Sequence, residues 1–307
     1  MLANYRVLDL TDGAAGFCGY LFAQLGAEVV LIEPGEGSPS RRQAPIAEGE
    51  GLWFEAYARG KKSVVVDDLE PLLAGADFVI EAYSRADAAS RGLEPAALQQ
   101  RHPHLIHISL SPFGRTGPKA DWPASDLTIW AASGAHALAG DADRAPVRTS
   151  MPQAYLHAGA DAAGAALIAL HERHLSGLGQ HVDVSAQQSC AQAALSANLA
   201  VPNNGGQVSR VAGGLAGLFP VRLTWPCKDG YVALTLLFGP AFSEPNRRLM
   251  RWLLDGNAIT EDFAARDWGE ELAQMFRAEK EPDDYFTLCD NIEQFTLQYT
   301  QQELFAE

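Results

Sequence analysis

The sequence predicts a doubly wound α/β domain followed by a smaller α+β region. Three observations carry that expectation: short β-branched runs alternating with helical segments, glycine-rich joints between them, and a turn to Asn and Gly near residue 200. The first run, "YRVLDL", leads through "TDGAAG" into the helix-like "FCGYLFAQLG", and "AEVVLIE" follows. "KKSVVVDD", "LLAGADFVIEA" and "HLIHISLS" repeat the pattern. Apolar runs with little internal alternation suit strands of a parallel sheet covered on both faces. Two helical stretches come next, "SDLTIWAASGAHAL" and "MPQAYLHAGADAAGAALIALHERHL". Gly177 and Gly179 supply a stop after the second, and "HVDVS" reads as one more strand.

The stretch "NLAVPNNGGQVSRVAGGLAG" marks a connection, so the large domain is placed at residues 1–205 and a linker with the small domain at 206–307. Within the latter, "FPVRLTWPCKDGYVALTLL" predicts a β-hairpin turning at Lys228-Asp229-Gly230, and the remainder is helical and charged.

Composition excludes several classes of function. The 307 residues are 47% hydrophobic, enough for a sizeable core, and carry a net charge of −15. So acidic a chain lacks the basic face that nucleic acid or an anionic membrane demands. Any anionic ligand must be met by a local basic cluster. Cys18, Cys190, Cys227 and Cys289 fit no zinc or CxxC spacing and read as reduced thiols, so no metal is expected. With no signal-peptide pattern and no long apolar window, the expected location is the cytoplasm.

Two local features could meet an anion. The loop "DGAAGF" between first strand and first helix is small enough for its amides to approach a phosphate or carbonyl, although a tight βα turn needs the same residues. The pairs Arg41-Arg42 and Lys61-Lys62 flank strand ends, where phosphate ligands sit, although charge runs are also ordinary solvated surface. The first βα turn does not give GxGxxG, which weighs against a nicotinamide dinucleotide enzyme.

Seven blocks in register, among them "RVLDLTDGAAGFCGYLFAQLGAEVVLIEPGEGSPSRR", "ARGKKSVVVD", "HISLSPFGRTGP", "ASDLTIWAASG" and "PVRTSMPQAYLHAG", resemble the family III CoA-transferases, the group of formyl-CoA transferase, carnitine CoA-transferase and α-methylacyl-CoA racemase. The resemblance implies a Rossmann-like large domain, a small domain, an interlocked dimer and a CoA thioester as substrate. The family's C-terminal return to the large domain lacks a counterpart in these residues, so the chain is expected to be either a shortened protein or a piece of a longer one. The expected CoA contacts are Ala14 and Ala15 in the loop, Arg41 after "GEGSPS", Lys61 and Lys62 in "GKKS", and Tyr83 and Arg91 in "EAYSRADAASRGL". In that last block Ala82 and Ser84 stand where the family has Asn and Arg, so the adenine pocket is altered.

The family's nucleophile is an aspartate in a motif near Pro-x-x-Asp-x-x-(Ala/Thr)-Gly, which attacks the thioester to form a mixed anhydride. Here the motif reads "PQAYLHAG" and Tyr155 occupies the aspartate's position. A phenol with a pKa near 10 is protonated at neutral pH and suits hydrogen-bond or proton donation better than nucleophilic attack. The racemases' histidine position is held by Ser125. His157 and Asp161 lie about 200° and about 240° from Tyr155 around a helix, so neither shares its face, and His157 reads as a capping or interface residue. Two functions follow. One is an acyl-CoA enzyme of the CoA-transferase type acting on a CoA thioester and a carboxylic acid with altered chemistry (lyase, isomerase or hydrolase). The other is a non-catalytic CoA-binding partner subunit, in a homodimer or a heterodimer with a related chain.

Overall fold

The computed structural model describes residues 1–141, 143–194, 214–215, 221–236, 239, 242–277 and 279–306. Its contacts divide the chain into Met1–His136 with Arg148–Asn203, and Ala137–Val147 with Asn204–Glu307. Most of the Asn/Gly stretch read as a connection lies outside the described residues.

The first unit is built on β1 (Arg6–Asp9), α1 (Phe17–Gln24), β2 (Glu28–Glu33), β3 (Ile46–Ala47), β4 (Glu50–Gly51), α2 (Leu52–Ala58) and β5 (Lys62–Val65). It continues through α3 (Glu70–Leu73), β6 (Phe78–Glu81), α4 (Arg85–Ser90), α5 (Pro95–Arg101), β7 (Ile106–Ser111), α6 (Asp126–Ala132), α7 (Ala154–Ser176), β8 (His181–Ser185) and α8 (Ala186–Ala193). Six strands form one parallel sheet in the order β5-β2-β1-β6-β7-β8. The doubly wound fold read from the sequence is therefore present, and the strand order reverses between β1 and β6, where such sheets open a crevice at their carboxyl ends.

Alternation along the strands assigns the two faces. Val7, Phe78, Ile80, Ile106 and Ile108 pack with Phe22 of α1 and the alanines of α7. Leu8, Leu10 and Val79 pack with Leu73, Ala88 and Leu98 of α3, α4 and α5.

α7 runs close to α1 because its buried stripe is almost side-chain-free: Ala154, Ala158, Gly159, Ala162, Ala163 and Ala166. A Cβ on Gly159 would stand 3.0 Å from the Cys18 amide nitrogen and 3.2 Å from Phe17 Cβ, so a larger residue there would have to push the start of α1 away by a few tenths of an ångström. Gly177 closes the helix in the left-handed region at φ 77°, as the sequence implied.

The second unit contains β9 (Gly214–Leu215), β10 (Val221–Arg222), β11 (Thr224–Cys227), β12 (Gly230–Ala233), α9 (Ser243–Asp255), α10 (Glu261–Ala265), α11 (Trp268–Phe276), α12 (Asp283–Thr296) and α13 (Gln301–Ala306). β11 and β12 form the expected hairpin; Cys227 pairs with Gly230, so the turn is the two residues Lys228 and Asp229 and Gly230 already belongs to the strand. Trp225, Trp268, Tyr285 and Phe295 fill this unit's own core.

Candidate functional site

A cleft of about 560 Å³ opens beyond the carboxyl ends of β1, β2 and β6, lined by Thr11, Asp12, Glu33, Tyr83 and Arg91 among others. The Arg91 guanidinium lies 4.5 Å from the Tyr83 ring centroid, so these two predicted contacts form one stacked wall. Burial foremost raises the Tyr83 hydroxyl above its ordinary value.

Arg41 is tied to a wall of the cleft rather than free within it. Its guanidinium donates to both oxygens of Glu33 at 2.8 and 2.7 Å and lies 3.8 Å over Phe54. Hydrogen bonds from Arg41 first, then from Ser63 and Ser38 against the cost of burial, hold the Glu33 carboxyl well below the usual carboxylate range. Arg42 donates to the Glu36 carbonyl.

The neighbours Lys61 and Lys62 part company. Lys62 is 73% exposed and reaches back to Glu28 at the start of β2, 2.7 Å away. Lys61 turns inward beneath the loop, its side chain 2% exposed, and donates to Asp9 at 2.6 Å and to the Gly16 carbonyl at 2.8 Å. Neither ammonium faces the cleft.

The loop itself is a 3-10 turn, Gly13–Gly16, carrying Ala14 and Ala15. Asp12, just before it, accepts from the Ser40 amide at 3.0 Å and from the Ser40 hydroxyl. α7 packs against this loop, and Ala15 and Tyr155 belong to one apolar cluster. Ala15 of the loop and Tyr155 thus lie in the same apolar layer of this unit.

α7 begins with Gln153, which makes no side-chain cap. Asp126 at the start of α6 supplies one instead: its Oδ1 accepts from the Gln153 amide at 2.7 Å and the Ala154 amide at 2.8 Å. Burial foremost, then the charge of Glu81, pushes the Tyr155 phenol up to about 12. Ser125 spends its hydroxyl in a capping box with Thr128 at the N-terminus of α6. His157 stacks on Trp130 with centroids 5.7 Å apart, and Asp161 is exposed.

One polar network escaped the sequence. Glu81, His107, Ser109, His181 and Asp183 share the face toward α3, α4 and α5, by the pairings Val79–His107–His181 and Glu81–Ser109–Asp183. Arg115 donates to Glu81, the Tyr83 amide donates to Glu81 at 2.7 Å, and Ser109 Oγ and His181 Nε2 are 2.9 Å apart. Burial alone would raise Glu81, but bonds from His107 and Ser109 and the charge of Arg115 outweigh it and leave the carboxyl lowered. Burial first, then neighbouring His107, pushes His181 down to about 4. The available signal was the alternation His107, Ser109, Ser111 inside a run read as plain core.

All four cysteines are buried free thiols. Among the described residues, no cluster of His, Cys, Asp or Glu could hold a metal ion, and no helix is long and apolar enough to cross a membrane.

Residues 2–303 match CoA-transferase family III. The chain belongs to that family. Over 317 residues it is 32% identical to the succinyl-CoA:(R)-benzylsuccinate CoA-transferase subunit BbsE of Thauera aromatica, covering 99% of this chain and 75% of that one. It is 38% identical over 194 residues to the succinyl-CoA–D-citramalate CoA-transferase of Chloroflexus aurantiacus, covering 60% of this chain and 48% of that one. A CAIB/BAIF family protein from Brucella suis superposes with a TM-score of 0.78 at 26% identity, covering 99% of this chain and 80% of that one. Membership of CoA-transferase family III and the superposition on a CAIB/BAIF family protein agree with the family and fold read from the sequence.

Proposed function

We propose that this chain binds the CoA thioester of a carboxylic acid and serves CoA transfer with Tyr155 as a hydrogen-bond donor to the thioester, not as a nucleophile. The observation that carries the reading is the phenol at the first turn of α7, in the apolar cluster that also holds Ala15 of the Gly13–Gly16 loop, with its pKa pushed up to about 12. Such a group stays protonated at neutral pH and can stabilise negative charge growing on a carbonyl oxygen. The Tyr83–Arg91 wall offers a flat surface and a cation for the adenine nucleotide, and Arg41 keeps Glu33 neutralised at the cleft edge. Ala14 and Ala15 would meet the thioester end with backbone amides, and Lys62 would serve only a part of the ligand outside the cleft. Succinyl-CoA is the donor to try first, since it stands in the names of both relatives.

A second reading is a non-catalytic partner beside a related chain that carries the nucleophile; the word subunit in the name of BbsE favours it. Calorimetric titration with succinyl-CoA, followed by turnover of Tyr155→Phe, separates the two. A donor role predicts retained binding and turnover reduced about a hundredfold. Binding without turnover in the native chain, restored by a co-purifying relative, supports the partner reading. Turnover unchanged in Tyr155→Phe removes Tyr155 from the chemistry.

A further inference from the structure

Lys61 has the sequence position of a phosphate ligand and the surroundings of something else. Its ammonium is enclosed between β1 and the loop, 2.6 Å from Asp9 Oδ2 and 2.8 Å from the Gly16 carbonyl. Asp9 is fully buried and its other oxygen accepts from the Thr11 amide at 3.0 Å and the Thr11 hydroxyl at 2.5 Å. The enclosure is shaped for this pair. A Cβ on Gly19 would stand 1.9 Å from Asp9 Oδ2, and one on Gly16 would stand 3.2 Å from Lys61 Nζ. Two glycines one turn apart therefore leave the space that the carboxylate and ammonium fill. The far end of the turn is held by the bonds from Ser40 to Asp12. Gly13–Gly16 is in this way clamped at both ends, and the clamp at Gly16 is the only one of the two that involves a charge pair with both side chains under 3% exposed.

We propose that Lys61 is a positioning residue: paired with Asp9, it fixes the Gly13–Gly16 turn so that the amides around Ala14 and Ala15 are set for the thioester end of the ligand, and it takes no part in holding the nucleotide phosphates. The proposal rests on the CoA-thioester reading for its ligand, but the clamp itself is testable without one. A clamp acts on the loop, so its loss weakens every ligand that uses the loop, whether or not that ligand carries phosphate. A phosphate ligand acts only on phosphate.

Hydrogen exchange on the ligand-free chain comes first. In Lys61→Met, and equally in Asp9→Asn, the amides of residues 13–18 exchange through local opening at least about tenfold faster than in the native chain, while those of β6 report the accompanying loss of global stability. Calorimetry then compares succinyl-CoA with S-succinylpantetheine, which has the thioester and no phosphate. The clamp predicts that Lys61→Met weakens both by the same factor, about tenfold. Loss confined to succinyl-CoA overturns the proposal, as does unchanged exchange in residues 13–18. If a single variant does not fold, the double substitution Asp9→Asn with Lys61→Met, which leaves no buried charge unpaired, takes its place under the same criteria. A native chain that binds neither thioester sinks the CoA reading, while the exchange result still decides whether Lys61 holds the turn.

Discussion

The two faces of the one parallel sheet both bury charge, and they do it differently. Toward α1 and α7 the charge is concentrated in one pair, Asp9 with Lys61, inside an otherwise apolar layer of small residues. Toward α3, α4 and α5 it is spread along Glu81, His107, Ser109, His181 and Arg115 over β6, β7, β8 and the loop after β7, leaving His107 Nδ1, Ser111 Oγ and Arg115 Nε buried without a partner. A single enclosed pair has no reserve when one member is lost. A spread network can redistribute bonds, but the lowered imidazole of His181 makes it sensitive to acid.

The sharpest way to break the comparison is at the concentrated pair. Lys61→Met leaves a carboxylate buried without its cation and is expected to cost about 3–5 kcal/mol of stability. Lys62→Met, one residue on and exposed to solvent, is expected to leave the melting temperature unchanged. Equal effects of the two substitutions in thermal melts would erase the distinction.

Acid tests the other face, with a smaller and graded effect. His181 has a folded pKa of about 4 against an ordinary value near 6.5, so the unfolded chain binds a proton more readily through that interval. The stability it contributes is present above about pH 6.5 and is lost as the pH falls toward 4. Glu81 is lowered too, so its contribution is present above the ordinary Glu value and disappears as the pH falls further. Melting temperature should therefore drop between pH 6.5 and 4, and His181→Asn should flatten the drop. An unaltered pH slope in that variant would remove His181 as its source.

The smallest expected effect is at the end of α7. Asp126→Ala removes the acceptor of two otherwise unpaired amides and should cost about 1 kcal/mol, whereas Asp126→Asn, which keeps an acceptor oxygen, should cost less. Equal destabilisation by both in denaturant titrations would mean that the charge, not the cap, is what matters.

How much of this was legible depended on how far apart in sequence the partners lie. The strands, the hairpin and the stop at Gly177 announce themselves through local periodicity and turn residues, and the family blocks pointed to Tyr155 and its loop. The fates of Lys61 and Lys62 could not be read from "GKKS", because two adjacent lysines differ only in which strand each one's side chain meets. The cap on α7 was equally hidden, since Asp126 and Gln153 are 27 residues apart. The stripe of His107, Ser109 and Ser111 was in plain view, but its strand is buried on both sides and so passed for a run of core.

The near-absence of side chains along the buried stripe of α7 bears on how position 155 can change over evolutionary time. Gly159 sets the helix directly on the backbone of Cys18, and Asp126 holds its first amides, so two contacts that residue 155 does not make help to place it. The side chain at such a site can be exchanged without moving the scaffold. Within this architecture, a change at position 155 is a change of side chain and not of backbone.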